Sequence, residues 1–134
     1  MNQLLFEQKM FHDLGINYLR EVLDIGCGRG RVACYAASSR EAKVKGMDLD
    51  PDQLASANRF AQGYGLSWKT QFKQGDMNSL PLLFKDNSFT SAYYIQALNY
   101  SKDLGRMFKD IHRILKPGGK IASLCWVTLD KYDP

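Results

Sequence analysis

The residues best suited to chemistry lie in three short runs. The first is Gly26-Cys27-Gly28-Arg29-Gly30, directly after Val22-Leu23-Asp24-Ile25. Glycines after a strand let a ligand approach the backbone, because no Cβ intervenes. The start of a following helix adds free N–H groups and a partial positive charge. That pairing suits a nucleotide or a carboxylate. The second run is Asp48-Leu49-Asp50-Pro51. Asp48 ends an extended stretch and can accept hydrogen bonds from ribose hydroxyls, while Asp50 before Pro51 reads as a helix cap. The third is Gly75-Asp76-Met77, where Asp76 is either a hydrogen-bond acceptor for a ligand or a plain turn residue.

The glycine loop alone serves two kinds of cofactor. The dinucleotide fingerprint is GxGxxG, whose third glycine permits close helix packing and whose helix end holds pyrophosphate. Here the spacing is GxGxG, and Arg31 stands at the fingerprint's third position. A bulky residue there argues against NAD, although Asp48 fits either cofactor.

The elements that must position these runs alternate. Apolar spacing predicts an amphipathic helix over 3–14, with Leu4, Leu5, Phe6, Met10, Phe11 and Leu14 on its apolar positions. Strands are expected over 21–25, 42–48, 68–74, 90–95 and 120–127. Helices are expected over 31–39, over 51–63 and from 101 or 102 to 116. Pro117-Gly118-Gly119 is a strong break before the last strand. Alternating strands and helices call for a parallel sheet covered on both faces, with right-handed connections.

Five segments in order give the chain a family likeness. VLDIGCGRGR, VKGMDLDPDQL, QGDMNSLPL, FKDNSFTSAYYIQAL and DIHRILKPGGKI together resemble the motifs of class I S-adenosylmethionine-dependent methyltransferases over about residues 20–125. The resemblance implies an α/β, Rossmann-like three-layer αβα fold. It also implies S-adenosyl-L-methionine as cofactor, with S-adenosylhomocysteine as product. Asp24, Gly26, Cys27 and Gly28 would surround the methionine part, with Cys27 needed only for its small size. Asp48 would hold the ribose hydroxyls and Leu49 would pack near adenine. Asp76 would accept from the adenine amino group, with Met77 beside the ring. Ile95 and Gln96 would line the methyl-donor end. Bland readings stand beside these: Asp24 as a loop cap, Met77 as packing, and Tyr93, Tyr94 and Tyr100 as core rather than an acceptor wall.

Within that family the chain most resembles the sterol C-methyltransferase group, through YYIQAL and the tail CWVTLDKYDP. The implied acceptor is small, lipophilic and sterol-like. Two positions depart from that group. Gln96 stands where its members usually carry Glu, and Thr90 where they carry Asp. A carboxylate at position 96 would stabilise a cation or take a proton better than an amide, so Gln96 is the candidate catalytic residue. A cofactor-binding module without catalysis, acting with a partner chain, is the second reading, and an NAD-dependent enzyme is the third.

The bulk numbers bound the rest. The chain has 134 residues, 45% of them hydrophobic and 24% charged. These values fit one domain, 1–134, with its first helix inside 1–20 and its core over 21–127. Net charge is +4, but the basic residues are scattered and Lys109, Arg113 and Lys116 fall at helical spacing. We read them as solvated faces and expect no nucleic-acid partner. Three cysteines without CxxC spacing argue against a disulfide framework or a metal site and for a reducing, cytoplasmic setting. Peripheral membrane contact is compatible with the composition. The family's last two strands have no counterpart after residue 127, so the fifth strand is expected to be an edge. A homodimer paired across that edge is the simplest completion.

Overall fold

Side-chain alternation and capping residues divide the chain as the alternating pattern requires. The computed structural model describes residues 2–125. The order is α1 (Gln3–Asp13), β1 (Glu21–Ile25), α2 (Arg31–Ser39), β2 (Lys43–Asp48), α3 (Pro51–Gly63), β3 (Thr70–Gln74), β4 (Phe89–Ile95), a 3-10 turn at Leu98–Tyr100, α4 (Leu104–Ile114) and β5 (Leu115–Leu124). All pairings are parallel, and the sheet order is β3-β2-β1-β4-β5. The order reverses at β1, which lies between β2 and β4. Open parallel sheets place their ligands outside the carboxyl ends of strands at such a reversal.

Two apolar layers hold the sheet. On one face Met10 and Phe11 of α1 and Ala33, Ala36 and Ala37 of α2 pack with Val22, Val44 and Tyr93. On the other, Met107, Ile111 and Ile114 of α4 cover Leu23, Ile25, Ala92 and Tyr94. The α4 residues recur at helical spacing and the strand residues at a period of two, as half-buried helices and sheets require.

Capping fixes the helix starts. The Asp50 side chain accepts from the N–H of Asp52 at 2.8 Å, with Pro51 in the first helical turn. Helix α4 begins later than expected because Asp103, not Ser101 or Lys102, is its cap and accepts from the N–H of Arg106 at 3.0 Å. β3 begins at Thr70, so Trp68 lies before the strand. β5 starts directly after α4. Its register jumps from Phe89↔Leu115 to Ser91↔Lys120, so the Pro-Gly-Gly break sits inside the strand as an irregularity. Cys125 is the last described residue; Trp126 and Val127, the end of the expected strand, and most of the tail motif lie outside the described residues. Among the described residues β5 is the outer strand on its side.

Arg113 departs from the solvated-face reading. Its guanidinium donates to Asp110 Oδ1 at 2.7 Å, to Asp86 Oδ1 at 2.8 Å and to the carbonyls of Phe84 and Leu82 at 2.8 and 3.0 Å. The buried Asp110 carboxylate also accepts from the N–H of Leu82 at 2.6 Å. Helix α4 thereby clamps the long segment between β3 and β4. Sequence spacing shows that a cation lies on a helix face but not what crosses that face.

Candidate functional site

The glycine loop after β1 is tied to the end of β2. The N–H groups of Gly26 and Cys27 donate to the carbonyl of Met47 at 2.8 and 3.0 Å. The N–H of Gly28 donates to Asp48 Oδ2 at 2.8 Å, and Asp48 Oδ1 accepts from the N–H of Asp50 at 3.0 Å. Gly28 has φ +52° and no protein atom within 4 Å of where a Cβ would stand, so its outer side is open to a ligand. Gly30 differs: a Cβ there would lie 2.8 Å from both Ala57 and Phe72. The close packing that a third glycine gives the dinucleotide fingerprint is supplied here one residue earlier. Arg31, freed from that role, pairs with the buried Glu7 of α1. That ion pair, which joins helices 24 residues apart in sequence, carries no short-range signal.

A cavity of about 520 Å³ opens at the carboxyl ends of β1, β2 and β4. Its wall includes Gly26, Gly28, Asp48, Leu49, Asp76, Met77, Ile95 and Gln96, eight of the ten residues singled out from the sequence. Asp24 and Cys27 are not on it. Asp24 stands opposite Tyr93 in the β1–β4 register and accepts from its phenol at 3.0 Å. Burial pushes the Asp24 carboxyl up to about 7; the Tyr93 bond opposes this, and Asp48 and Glu7 add to it. Cys27 packs against Gly46, where a Cβ would meet its sulfur at 2.8 Å. Burial, with Asp24 and Asp48 nearby, raises the thiol far above its ordinary value, so it is not a nucleophile near neutrality.

The wall also holds residues the sequence reading passed over. Asn78 donates through Nδ2 to the carbonyl of Tyr100 at 2.8 Å and accepts from the N–H of Lys102 at 2.8 Å. It joins the segment after β3 to the turn after β4 and closes one side of the cavity. Its own N–H donates to Asp76 Oδ1 at 2.8 Å, a local turn that the Asp-x-Asn spacing could have signalled. Gln53 sits one helical turn into α3 and had no such signal. The three tyrosines separate: Tyr93 and Tyr94 are buried in the two cores, whereas Tyr100 is exposed and lines the cavity.

Charge discriminates between the ligands. Three carboxylates, Asp48, Asp50 and Asp76, line the cavity, and among the described residues no Lys or Arg does. A pyrophosphate would meet anions with no compensating cation. A ligand rich in hydroxyl and amino donors, or one carrying a positive charge, meets acceptors.

A family model described as a methyltransferase domain matches residues 23–123. The chain belongs to that family. Within it, the chain is 38% identical over 127 residues to a sterol 24-C-methyltransferase of Aspergillus fumigatus, covering 95% of this chain and 33% of the relative. It is 39% identical over 119 residues to that of Pneumocystis carinii, covering 89% and 31%. The methyltransferase domain described here thus spans about a third of the length of these relatives. Among solved structures it is similar to the [4+2]-cyclase SpnF, with TM-score 0.82, 29% identity and coverage of 89% of this chain and 43% of that one. The geranyl diphosphate C-methyltransferase of Streptomyces coelicolor shares the fold, with TM-score 0.80, 24% identity and coverage of 89% and 44%.

Proposed function

We propose that the cavity binds S-adenosylmethionine and that the chain serves methyl transfer to a small lipophilic, sterol-like acceptor. The observation that carries the cofactor reading is the set of three carboxylates around a glycine loop, with no cation in the wall among the described residues. Asp50 caps α3; the other two would each take a separate donor group. Asp48 would accept from ribose hydroxyls, since a carboxylate has acceptor capacity beyond the two backbone N–H groups it already serves. Asp76 uses one oxygen for Asn78; the other would accept the adenine amino group, with Leu49 and Met77 against the ring. Gly26 and Gly28 would admit the methionine part, with Asp24 and Cys27 supporting the loop from behind. Ile95 and Gln96 would face the donor methyl. Bound there, the cofactor supplies an activated methyl group, and the protein's task is alignment of acceptor, carbon and sulfur.

The acceptor class rests on the relatives named as sterol 24-C-methyltransferases, which align with nearly all of this chain. Pairing of two copies along β5 belongs to the same proposal, since among the described residues that strand is the outer one on its side of the sheet. Cytoplasmic residence fits the free thiols of Cys27, Cys34 and Cys125. Calorimetry decides the cofactor. S-adenosylhomocysteine should bind the chain and NAD should not; the reverse result would overturn the reading. A methyl-transfer assay with a sterol-like alkene then tests the acceptor.

A further inference from the structure

The sheet face covered by α4 is roofed over β1 and β4 but not over the outer half of β2 and β3. Parallel register puts Lys45 beside Leu23 and Gln71, and Lys73 beside Met47. In-register neighbours on parallel strands share a face, so Lys45 and Lys73 stand on the α4 face where the helix no longer covers it. A hollow of about 360 Å³ lies there, and Lys85 and Leu83 complete its rim. An adjoining hollow shares Lys45 and Gln71 with it and extends past Lys43 and Lys69 to Trp68.

Three of the cations on this face have aromatic neighbours. Lys73 Nζ lies 5.5 Å from the centre of the Phe84 ring, and Lys45 Nζ lies 6.0 Å from that of Phe89. Lys69 Nζ sits 4.6 Å over Trp68, with Glu41 at 3.9 Å. Among the described residues no carboxylate forms an ion pair with Lys43, Lys45, Lys73 or Lys85, and Glu21 is the acidic residue lining the second hollow. Two large apolar side chains project from the same surface: Leu83 is 78% exposed and Trp68 is 74% exposed. The sign is opposite to that of the cofactor cavity. A narrow crevice of about 50 Å³ lies between the two regions, sharing Asp76 with the cofactor cavity and Lys73 and Leu83 with the lysine face.

We propose that this lysine face, with Leu83 and Trp68 projecting from it, docks on the anionic phospholipid headgroups of a membrane. Lysines near such a surface each gain about 1 kcal/mol, Trp favours the headgroup level, and a protruding Leu gains by entering the acyl boundary. A nucleic acid would use the lysines and Trp68, but its phosphates and base edges gain little from an exposed Leu83. The inference stands on charge and exposure and does not depend on the acceptor proposed above. It would, however, place the crevice next to the cofactor cavity beside the bilayer.

Co-sedimentation of the 134-residue chain tests it, with vesicles of phosphatidylcholine alone and with roughly one-third phosphatidylserine added. Binding should require phosphatidylserine and fall as salt rises. Lys45→Gln with Lys73→Gln should lower partitioning about 25-fold, each lysine contributing roughly fivefold. Leu83→Ser, at a site too exposed to affect folding, should lower it several-fold at unchanged charge. In a Trp126→Phe background, Trp68 emission should shift to the blue on binding. Each variant should keep the wild-type response to S-adenosylhomocysteine, which separates a failure here from a failure of the cofactor reading. No binding of the folded wild-type chain to anionic vesicles would overturn the proposal. So would vesicle binding indifferent to the lysine changes, or binding of an RNA homopolymer that is unaffected by Leu83→Ser and unmatched by vesicles.

Discussion

The carboxylate of Asp48 accepts the N–H of Gly28 at 2.8 Å across 20 positions of sequence. The end of β2 therefore holds the glycine loop after β1 in place before any ligand arrives. Asp48→Ala removes that anchor and the acceptor proposed for ribose. S-adenosylhomocysteine affinity should fall by about 1.5–3 kcal/mol, the range for hydrogen bonds to a charged group. Asp48→Asn should lose less, because an amide oxygen can still accept from Gly28. Calorimetric titration of both variants checks the order; equal, wild-type affinity in both would remove Asp48 from the site.

Gly28 gives a complementary test. Its φ of +52° costs a side chain about 1–2 kcal/mol, yet a Cβ would meet no protein atom within 4 Å. Gly28→Val should therefore leave a folded protein with a modestly lower Tm while abolishing cofactor binding. Thermal melting and titration of the same sample separate the two effects. A variant that binds normally would show that the ligand does not approach Gly28.

Asp24 makes stability depend on pH. Its carboxyl rises from an ordinary 3.8 to about 7, chiefly through burial. A group raised in this way favours the folded state below its ordinary value, and that contribution is lost as pH climbs toward the folded value. Asp24→Asn removes the titration and leaves an amide oxygen to accept from Tyr93. The variant should gain stability relative to wild type between about pH 4 and about pH 7 in urea unfolding. A difference that stays flat with pH would show that Asp24 is ionised throughout.

How much of this was legible in the sequence follows from the range of each interaction. Gly28, Asp48 and Asp76 sit at strand ends, and strand ends are marked locally by alternation and breakers, so the cavity's position could be read. Asp50 capping α3 could be read for the same reason. The partition of β1 could not: Asp24 and Cys27 are neighbours of the wall residues, but strand alternation, the Tyr93 phenol and the close approach of Gly46 turn them inward. Glu7–Arg31 and the contacts of Arg113 with Asp86, Phe84 and Leu82 join segments 24 or more residues apart, and spacing alone cannot pair them. β5 starts earlier than the 120 expected after the Pro-Gly-Gly break, because pairing already begins at Leu115 and tolerates a local break in register.

Arg113 turns that last point into a prediction. Arg113→Ala leaves the buried Asp110 with only the Leu82 N–H and frees the carbonyls of Leu82 and Phe84. Stability should drop by about 2 kcal/mol or more, as when one partner of a partly buried ion pair is removed. Because the same segment carries Asp76 and Met77, S-adenosylhomocysteine affinity should weaken as well, although Arg113 does not line the cavity. Arg113→Lys should rescue little, since one ammonium cannot reproduce a planar fork. Denaturation and titration of both variants test the pair of effects; full rescue by lysine would reduce Arg113 to a simple charge.

Gln96 is the sharpest test of the chemistry. It stands just past β4 with φ +55°, a conformation uncommon outside glycine, and its N–H donates to the carbonyl of Leu124 at 2.7 Å. The ends of β4 and β5 together therefore set its place on the cavity wall. Methylation of an alkene develops positive charge on the acceptor and then releases a proton, and a carboxylate assists both steps better than an amide. Gln96→Glu should therefore keep or raise the rate on a sterol-like alkene, by as much as about 100-fold if proton removal limits turnover. An acceptor that reacts through oxygen would instead lose the donor N–H of the amide, and its rate should fall. Methyl-transfer rates measured for both acceptor types, with S-adenosylhomocysteine affinity as the control for an intact site, distinguish these outcomes. A fall with the alkene at unchanged cofactor affinity would make Gln96 a shaper of the pocket and remove the alkene from the reading.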